Sequence, residues 1–247
     1  MSSHTREELA HDLRVLGVEP GDTLFIHSSF KSLGHVDGGA GTVVDALRDA
    51  VGEEGLILMP SFNLLDGRDL RAEAWNVYTT PSTVGWITEY FRLMPDTVRS
   101  DHYSHSTAAL GKGAHQYISS HLSDEGYDSV WDREPWGKTF GTHSPMYKAY
   151  EADAKLLMLG VEYDSSTYVH LVETILRNER PDELWASVPW RLDRPLVGVF
   201  WDGNGNLARG SVGDAPCRLF QIKEYVDTVL AEVKRDPSFY WTTKPDI

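Results

Sequence analysis

Residues 155–173, KLLMLGVEYDSSTYVHLVE, bring a histidine, a run of helix-capping residue types and a carboxylate close together along the chain. Leu156 to Leu159 form an apolar run ended by Gly160, the pattern of a strand buried on both faces. Asp164, Ser165 and Ser166 are N-cap types, so a helix is expected from near Thr167. On that helix Val169, Val172, Ile175 and Leu176 share one face, while His170, Glu173 and Arg177 lie together on another at spacings of three and four. The unpaired N–H groups and positive dipole end of a first helical turn suit a developing oxyanion. A neutral histidine beside them can take a proton near neutral pH. The same pattern also fits a polar helix face on which Glu173 pairs with Arg177 and His170 is solvated.

Three further stretches carry chemistry-bearing residues. HSSFKSLGHVDGGAGT, residues 27–42, has the glycines that let backbone approach a ligand and a following helix whose N-terminus attracts phosphate, yet it is neither a GxGxxG fingerprint nor a P-loop. RSDHYSHSTAALG, residues 99–111, offers Arg99 as a phosphate contact, and His102 with His105 as a metal pair that His170 would complete. No HExxH motif, carboxylate cluster or cysteine pair supports the metal reading. In GSVGDAPCRLF, residues 210–220, Cys217 fits a buried thiol better than a nucleophile. The tryptophans, among them Trp131, Trp136, Trp185, Trp190 and Trp201, read as core or wall residues.

The elements that must position these groups alternate. Thr5 with Glu8 reads as a capping box opening a helix that buries Leu9, Leu13 and Leu16. A strand is expected at 23–27, a helix from about Thr42, a strand at 56–59, a helix over 82–94, a short strand at 107–110 and a helix over 114–121. Residues 123–145, rich in Gly, Pro, Trp and charge, read as a long irregular loop or lid. Residues 196–211, with DGNGN at their centre, read as a hairpin, and a last helix carries Tyr225, Val226, Val229 and Leu230. The sum is a single α/β domain spanning 1–247, with a mixed, partly parallel central sheet flanked by helices. A net charge of −14 disfavours nucleic acid and anionic membranes and favours a cationic small-molecule partner. There is no apolar run of membrane-spanning length, no signal-peptide core and only one cysteine, which together suit a cytoplasmic protein.

Placed in order, the stretches GDTLFIHSSFKSLGHVDGGAGTVVDAL, EGLILMPSF, RSDHYSHSTAALG, LLMLGVEYDSSTYVHLVE and GSVGDAPCRLF resemble the aminoglycoside 3-N-acetyltransferase family, the antibiotic N-acetyltransferases distinct from the GNAT fold. The likeness runs from about Leu13 to Leu230. It implies the antibiotic N-acetyltransferase fold and acetyl transfer from acetyl-CoA to a substrate amine in a ternary complex. It gives His27, Ser28, Ser29, Ser32, Leu33, Gly34, Val36 and Gly39 the role of holding pantetheine and phosphates, with Arg99 and Ser106 as a second cofactor block. It makes His170 the general base, with Glu173 or Asp164 orienting it, and the N–H groups near Ser166 and Thr167, or the Thr167 hydroxyl, oxyanion donors. The chain departs from the family in three places. Tyr103 follows His102 where proline is usual, Ser166 stands where asparagine is common, and the segment between Trp190 and Ser211 is short. That segment helps form the amine-substrate wall in relatives, so the wall here is open to the acidic and aromatic residues of the 123–140 loop, such as Asp124, Glu125, Asp128, Asp132 and Glu134, most of which read better as a solvated charged loop. Alternatives are the same chemistry on a biosynthetic primary amine, a metal-dependent hydrolase, and a non-catalytic coenzyme A-binding protein, as monomer or homodimer.

Overall fold

A computed structural model of the chain describes residues 3–65, 67–179 and 191–242. Helix α1 (Arg6–Leu16) opens with the expected capping box: the Glu8 N–H donates to Thr5 Oγ1 and the Thr5 N–H donates to Glu8 Oε2. Strand β1 (Thr23–Ser28), a 3-10 turn (Phe30–Leu33), α2 (Ala40–Val51) and β2 (Leu56–Pro60) follow. Short helices α3 (Arg68–Glu73) and α4 (Trp86–Arg92) lead into β3 (Val98–Arg99), β4 (Thr107–Gly111), α5 (Ala114–Ile118) and α6 (Pro145–Glu151). Then come β5 (Lys155–Leu159), a second 3-10 turn (Tyr163–Ser165) and α7 (Tyr168–Glu179). The chain continues through β6 (Arg191–Leu192), α8 (Arg194–Asn204), β7 (Ala208–Val212) and β8 (Ala215–Gln221). Helix α9 (Ile222–Arg235), α10 (Pro237–Tyr240) and β9 (Trp241–Thr242) complete it.

Seven strands form one sheet in the order β3-β4-β2-β1-β5-β8-β7. The central β2, β1 and β5 run parallel, and the outer pairs are antiparallel, so the sheet is mixed as expected. Helices cover both of its faces, which explains why β2 and β5 read as unbroken apolar runs. The pleat sends Leu24, Ile26, Ile57, Met59, Leu157 and Leu159 into a core with α1, α2 and α4. It sends Phe25, Leu58, Leu156 and Met158 to the other face, against α7, α8 and α9. His27 stands two residues after Phe25 and so shares that second face. Strands β6 and β9 form a separate antiparallel ribbon.

Residues 196–204 differ from the expected hairpin: they belong to α8, and only β7 matches the returning strand. Asp193 caps α8 by accepting the Leu196 N–H, Pro195 sits in its first turn, and Val197 and Trp201 are buried at helical spacing. Of the glycines of DGNGN, Gly203 lies inside this helix and Gly205 at its C-cap, and they do not make a two-residue turn. Helix α4 is shorter than the expected 82–94 because Gly85, at φ 139°, stands outside it. Helix α5 ends at Ile118 and not at His121. Trp185 and Trp190 lie outside the described residues. Among the described residues no helix is long and apolar enough to cross a membrane.

Gly198 packs against the Tyr163 ring so tightly that an added Cβ would lie 2.2 Å from Cδ2, and Tyr163 is held by its hydroxyl bond to Asp202. Gly198→Ala would gain up to about 1 kcal/mol in an exposed helix. Here it is expected to destabilise the protein by about 1–3 kcal/mol, as overpacking does. Urea unfolding measures the sign, and a stabilised variant would contradict the docking of α8.

Candidate active site

A cleft of about 730 Å³ opens at the carboxyl ends of the parallel strands. His27 and Ser28 enter it from the end of β1, Pro60 from the end of β2, and Asp164, Thr167 and His170 from the turn and helix that follow β5. Open α/β sheets bind ligands on this edge because their connecting loops converge there.

The imidazole of His170 is buried, and both of its nitrogens are engaged. Nδ1 lies 2.7 Å from Glu173 Oε2, while Nε2 lies 3.1 Å from an Arg194 guanidinium nitrogen, which can only donate. Nδ1 therefore carries the proton and Nε2 the lone pair. The second oxygen of Glu173 accepts the Leu192 N–H at 2.8 Å, so this buried carboxylate is satisfied on both sides. Glu173, and not Asp164, is the partner of His170. Asp164 is exposed, and its carbonyl accepts from the other arm of Arg194. The polar face proposed for α7 exists but is not solvated: Tyr168 to Leu176 are all buried.

His27 joins the two sides of the cleft. Its Nε2 accepts the Thr167 N–H at 3.3 Å and lies 3.2 Å from Thr167 Oγ1. Burial, reinforced by the charge of Arg194, pulls its pKa down to about 3, so the ring is neutral. This contact changes the expected oxyanion donors. The Thr167 N–H is turned to His27, and the Ser166 N–H donates to Tyr163 O at 2.9 Å.

The remaining sequence-derived residues lie outside the cleft wall. Ser32 Oγ bonds Ser29 Oγ and Gly160 O, both at 2.9 Å, stitching the loop after β1 to the end of β5. Leu33 and Val36 are core side chains. Gly34 and Gly39 have φ of 78° and 68°, and Gly39 leaves the N-terminus of α2 without a side-chain cap. Arg99 does not face the cleft: it donates to Val77 O, Thr80 O and Ser61 O and to Ser106 Oγ, and its guanidinium stacks 4.4 Å over Trp75. It orders the 61–80 segment, and Ser106, which also donates to Ser61 O, helps it.

The proposed metal histidines are committed elsewhere. His102 Nδ1 accepts the N–H groups of Ser104 and His105, at 3.2 and 3.1 Å, and closes the turn between them. Its ring stacks on His121 at 4.6 Å. The described residues contain no group of three His, Cys, Asp or Glu placed to hold a metal ion.

The 123–145 loop contributes an aromatic and not its acidic residues. Trp131 packs 4.7 Å from the His170 ring, and none of Asp124, Glu125, Asp128, Asp132 or Glu134 lines the cleft. Asp132 instead caps its own loop through Ser129 and Thr139. Sequence reasoning missed Arg194, Trp131 and the approach of His105 to His170, at 6.0 Å between rings. The pattern Asp193-Arg194-Pro195, a helix start, was the one signal that would have placed Arg194 at a fixed point beside the cleft.

Comparison with known proteins decides the lineage. Residues 25–191 match the family described as aminoglycoside 3-N-acetyltransferase. The chain belongs to that family. Among its relatives is the SPbeta prophage-derived aminoglycoside N(3')-acetyltransferase-like protein YokD of Bacillus subtilis (strain 168), 32% identical over 90% of each chain. Aminoglycoside N(3)-acetyltransferase IV of Salmonella sp is 30% identical over 95% of this chain and 89% of its own. Among solved structures, aminoglycoside acetyltransferase AAC(3)-IVa without ligand superposes with a TM-score of 0.77 at 29% identity, covering 97% of this chain and 92% of that one. A mutant of the same enzyme in complex with a gentamicin gives 0.76 at 27% identity, with the same coverage.

This member of the aminoglycoside 3-N-acetyltransferase family buries four neutral imidazoles, of which two, His27 and His105, line the cleft. Burial holds His102 and His105 well below 6.5, pulls His121 down to about 4 and His27 to about 3. Between those values and the unfolded value near 6.5 the unfolded chain binds more protons, so stability rises with pH and is fully present above about pH 6.5. Urea midpoints are expected to fall steadily as the pH is lowered from 6.5 towards 4. His27→Asn is expected to flatten that slope by up to one proton, about 1.4 kcal/mol per pH unit. A stability independent of pH across this window would contradict the neutral cluster.

Proposed function

We propose that this chain transfers the acetyl group of acetyl-CoA to an amine, and that the amine is the 3-amino group of an aminoglycoside. The observation that carries the reading is the His170–Glu173 pair, whose fixed tautomer turns the lone pair of Nε2 towards the cleft. Family membership supports it, as does a relative's complex with a gentamicin.

An amine is protonated near neutral pH and is not a nucleophile in that state. His170 Nε2 takes the proton, and Glu173 stabilises the imidazolium through Nδ1–H. The free amine attacks the thioester carbonyl, the tetrahedral intermediate collapses with loss of thiolate, and a proton passes to sulfur. The residues present fit coenzyme A. Ser28 Oγ is buried at the cleft without a hydrogen-bond partner and suits the amides of a pantetheine arm. The uncapped N-terminus of α2 suits a phosphate. Asp164 and Asp193 on the rim suit further ammonium groups. Dependence on acetyl-CoA supports the reading that the protein acts in the cytoplasm.

A panel of aminoglycosides incubated with acetyl-CoA, with thiol release as the readout, tests the reading. At least one member should be turned over. His170→Ala is expected to lower kcat by at least about 10²-fold, and Glu173→Gln by about 10²–10⁴-fold, because the tautomer is lost. No turnover of any member would sink the aminoglycoside assignment, and full activity in His170→Ala would sink the base.

One observation favours a second reading, in which the acceptor is a biosynthetic amine that also bears an anionic group. Arg71, Arg191 and Arg194 line the cleft beside Asp164 and Asp193, so guanidinium groups outnumber carboxylates among its described lining residues. This reading expects an amine carrying a phosphate or carboxylate to be acetylated faster than any aminoglycoside, and Arg71→Ala to raise the KM of that amine alone. Faster turnover of the polycationic antibiotics would remove it.

A further inference from the structure

The acetyl-transfer reading requires a donor for the oxyanion that forms on the thioester carbonyl. The groups expected from the α7 N-terminus are turned away from that task. The Ser166 N–H donates to Tyr163 O, and the Thr167 N–H and hydroxyl both lie against His27 Nε2. Arg194 stands where such a donor is needed. One guanidinium nitrogen is 3.1 Å from His170 Nε2, and the other donates to Asp164 O. It reaches this point because Asp193 caps α8 and fixes the first turn beside β6, whose Leu192 N–H holds Glu173.

We propose that Arg194 is a catalytic residue of the acetyl transfer, donating to the oxyanion of the tetrahedral intermediate after the acceptor amine has displaced it from His170. The base must lie within hydrogen-bond reach of the amine nitrogen, so the amine takes the place beside Nε2 that the arginine now fills. The contact to Asp164 O is a pivot that keeps the guanidinium beside the reacting atoms when the Nε2 contact is released. A planar fork of five N–H donors can drop one partner and still aim another at a nearby oxygen.

The electron count fits a fixed cation. Attack of the neutral amine forms the C–N bond and moves the carbonyl π pair onto oxygen, where a full negative charge develops. His170 has already taken the proton that kept the amine from attacking, and the new ammonium holds the proton that the leaving sulfur takes. The oxygen then returns its pair, the C–S bond breaks and the thiolate takes up a proton, giving amide and coenzyme A. A guanidinium whose charge is present throughout stabilises the oxyanion without reorganising at that moment. The position of Arg194 is consistent with this use, since its charge is felt by His27 on the donor side and its guanidinium lies 3.1 Å from His170 Nε2 on the base side.

The inference rests on the acetyl-transfer reading but not on the identity of the amine, so the test uses two acceptors. One is whichever aminoglycoside the wild type turns over. The other is hydroxylamine, a small nucleophile that is neutral at pH 7 and gives acetohydroxamate and coenzyme A. Arg194→Ala and Arg194→Gln are expected to lower kcat by about 10²–10³-fold with either acceptor, the effect of losing one oxyanion donor, with the KM for acetyl-CoA nearly unchanged. Arg194→Lys should recover part of the loss, and millimolar guanidinium should restore part of it in Arg194→Ala only. His170→Ala should be less impaired with hydroxylamine than with the aminoglycoside, whereas the Arg194 variants should be equally impaired with both. Wild-type kcat in Arg194→Ala, or a raised KM with no guanidinium rescue, would overturn the inference and leave Arg194 as a tie to Asp164. A wild type that accelerates coenzyme A release with neither acceptor would overturn the acetyl-transfer reading itself, and this inference with it.

Discussion

The hydrogen bond from the Thr167 N–H to His27 Nε2 ties together two loops that would otherwise end on separate strands. It exists because β1 and β5 are parallel neighbours in register, Ser28 opposite Leu159, so their following loops leave the same edge of the sheet side by side. The pleat then decides the face. His27 points the way Phe25 does, towards α7, and a shift of one residue would bury it against α2 instead. Burying an imidazole costs free energy unless it is neutral and paired, and here it is both. Ser32 Oγ on Gly160 O and the Ser29 N–H on Leu159 O repeat the stitch one turn further out.

The second constraint is the carboxylate of Glu173. An unpaired charge at that depth would be costly, and a pair that left one oxygen bare would still be expensive. The β6–β9 ribbon supplies the missing donor through the Leu192 N–H. The next two residues follow from that placement: Asp193 starts α8, and Arg194 reaches back to His170. Three consecutive residues thus serve the carboxylate, the helix and the base.

Much of this was legible in the chain. The spacing of His170 and Glu173 on one helix face offered Glu173 as one of two carboxylates for the histidine, with Asp164 the other, and the apolar runs at 56–59 and 156–159 marked the buried parallel strands, because these signals are local. Arg99 was not legible. Its reading as a phosphate contact was reasonable for an arginine near glycines and histidines, yet its guanidinium is taken up by the carbonyls of Ser61, Val77 and Thr80. Arg194 was missed for the complementary reason. A run of apolar residues before an Asp-Gly pair has the look of a strand and a turn, and only packing of Val197 and Trp201 into the core makes it a helix. The Trp131 wall escaped because an irregular loop has no periodicity to read.

The acidity of the whole chain and the arginines of the cleft act at different distances and do not conflict. The net charge of −14 is a property of the whole chain, and surface carboxylates such as Glu19, Asp128 and Glu162 have part of theirs offset by lysine or arginine partners. At physiological salt such charges are screened over about 8 Å, so they bias the approach of a cation more than its bound pose. Inside the cleft, Arg194 stands 3.1 Å from the nitrogen of the proposed base, where screening is weak. An incoming ammonium is therefore drawn towards the protein by its surface and admitted to the base only by moving a like charge aside. The step that moves that charge also delivers it to where the reaction creates an anion. A guanidinium beside a general base is in this way compatible with catalysis on a cationic amine.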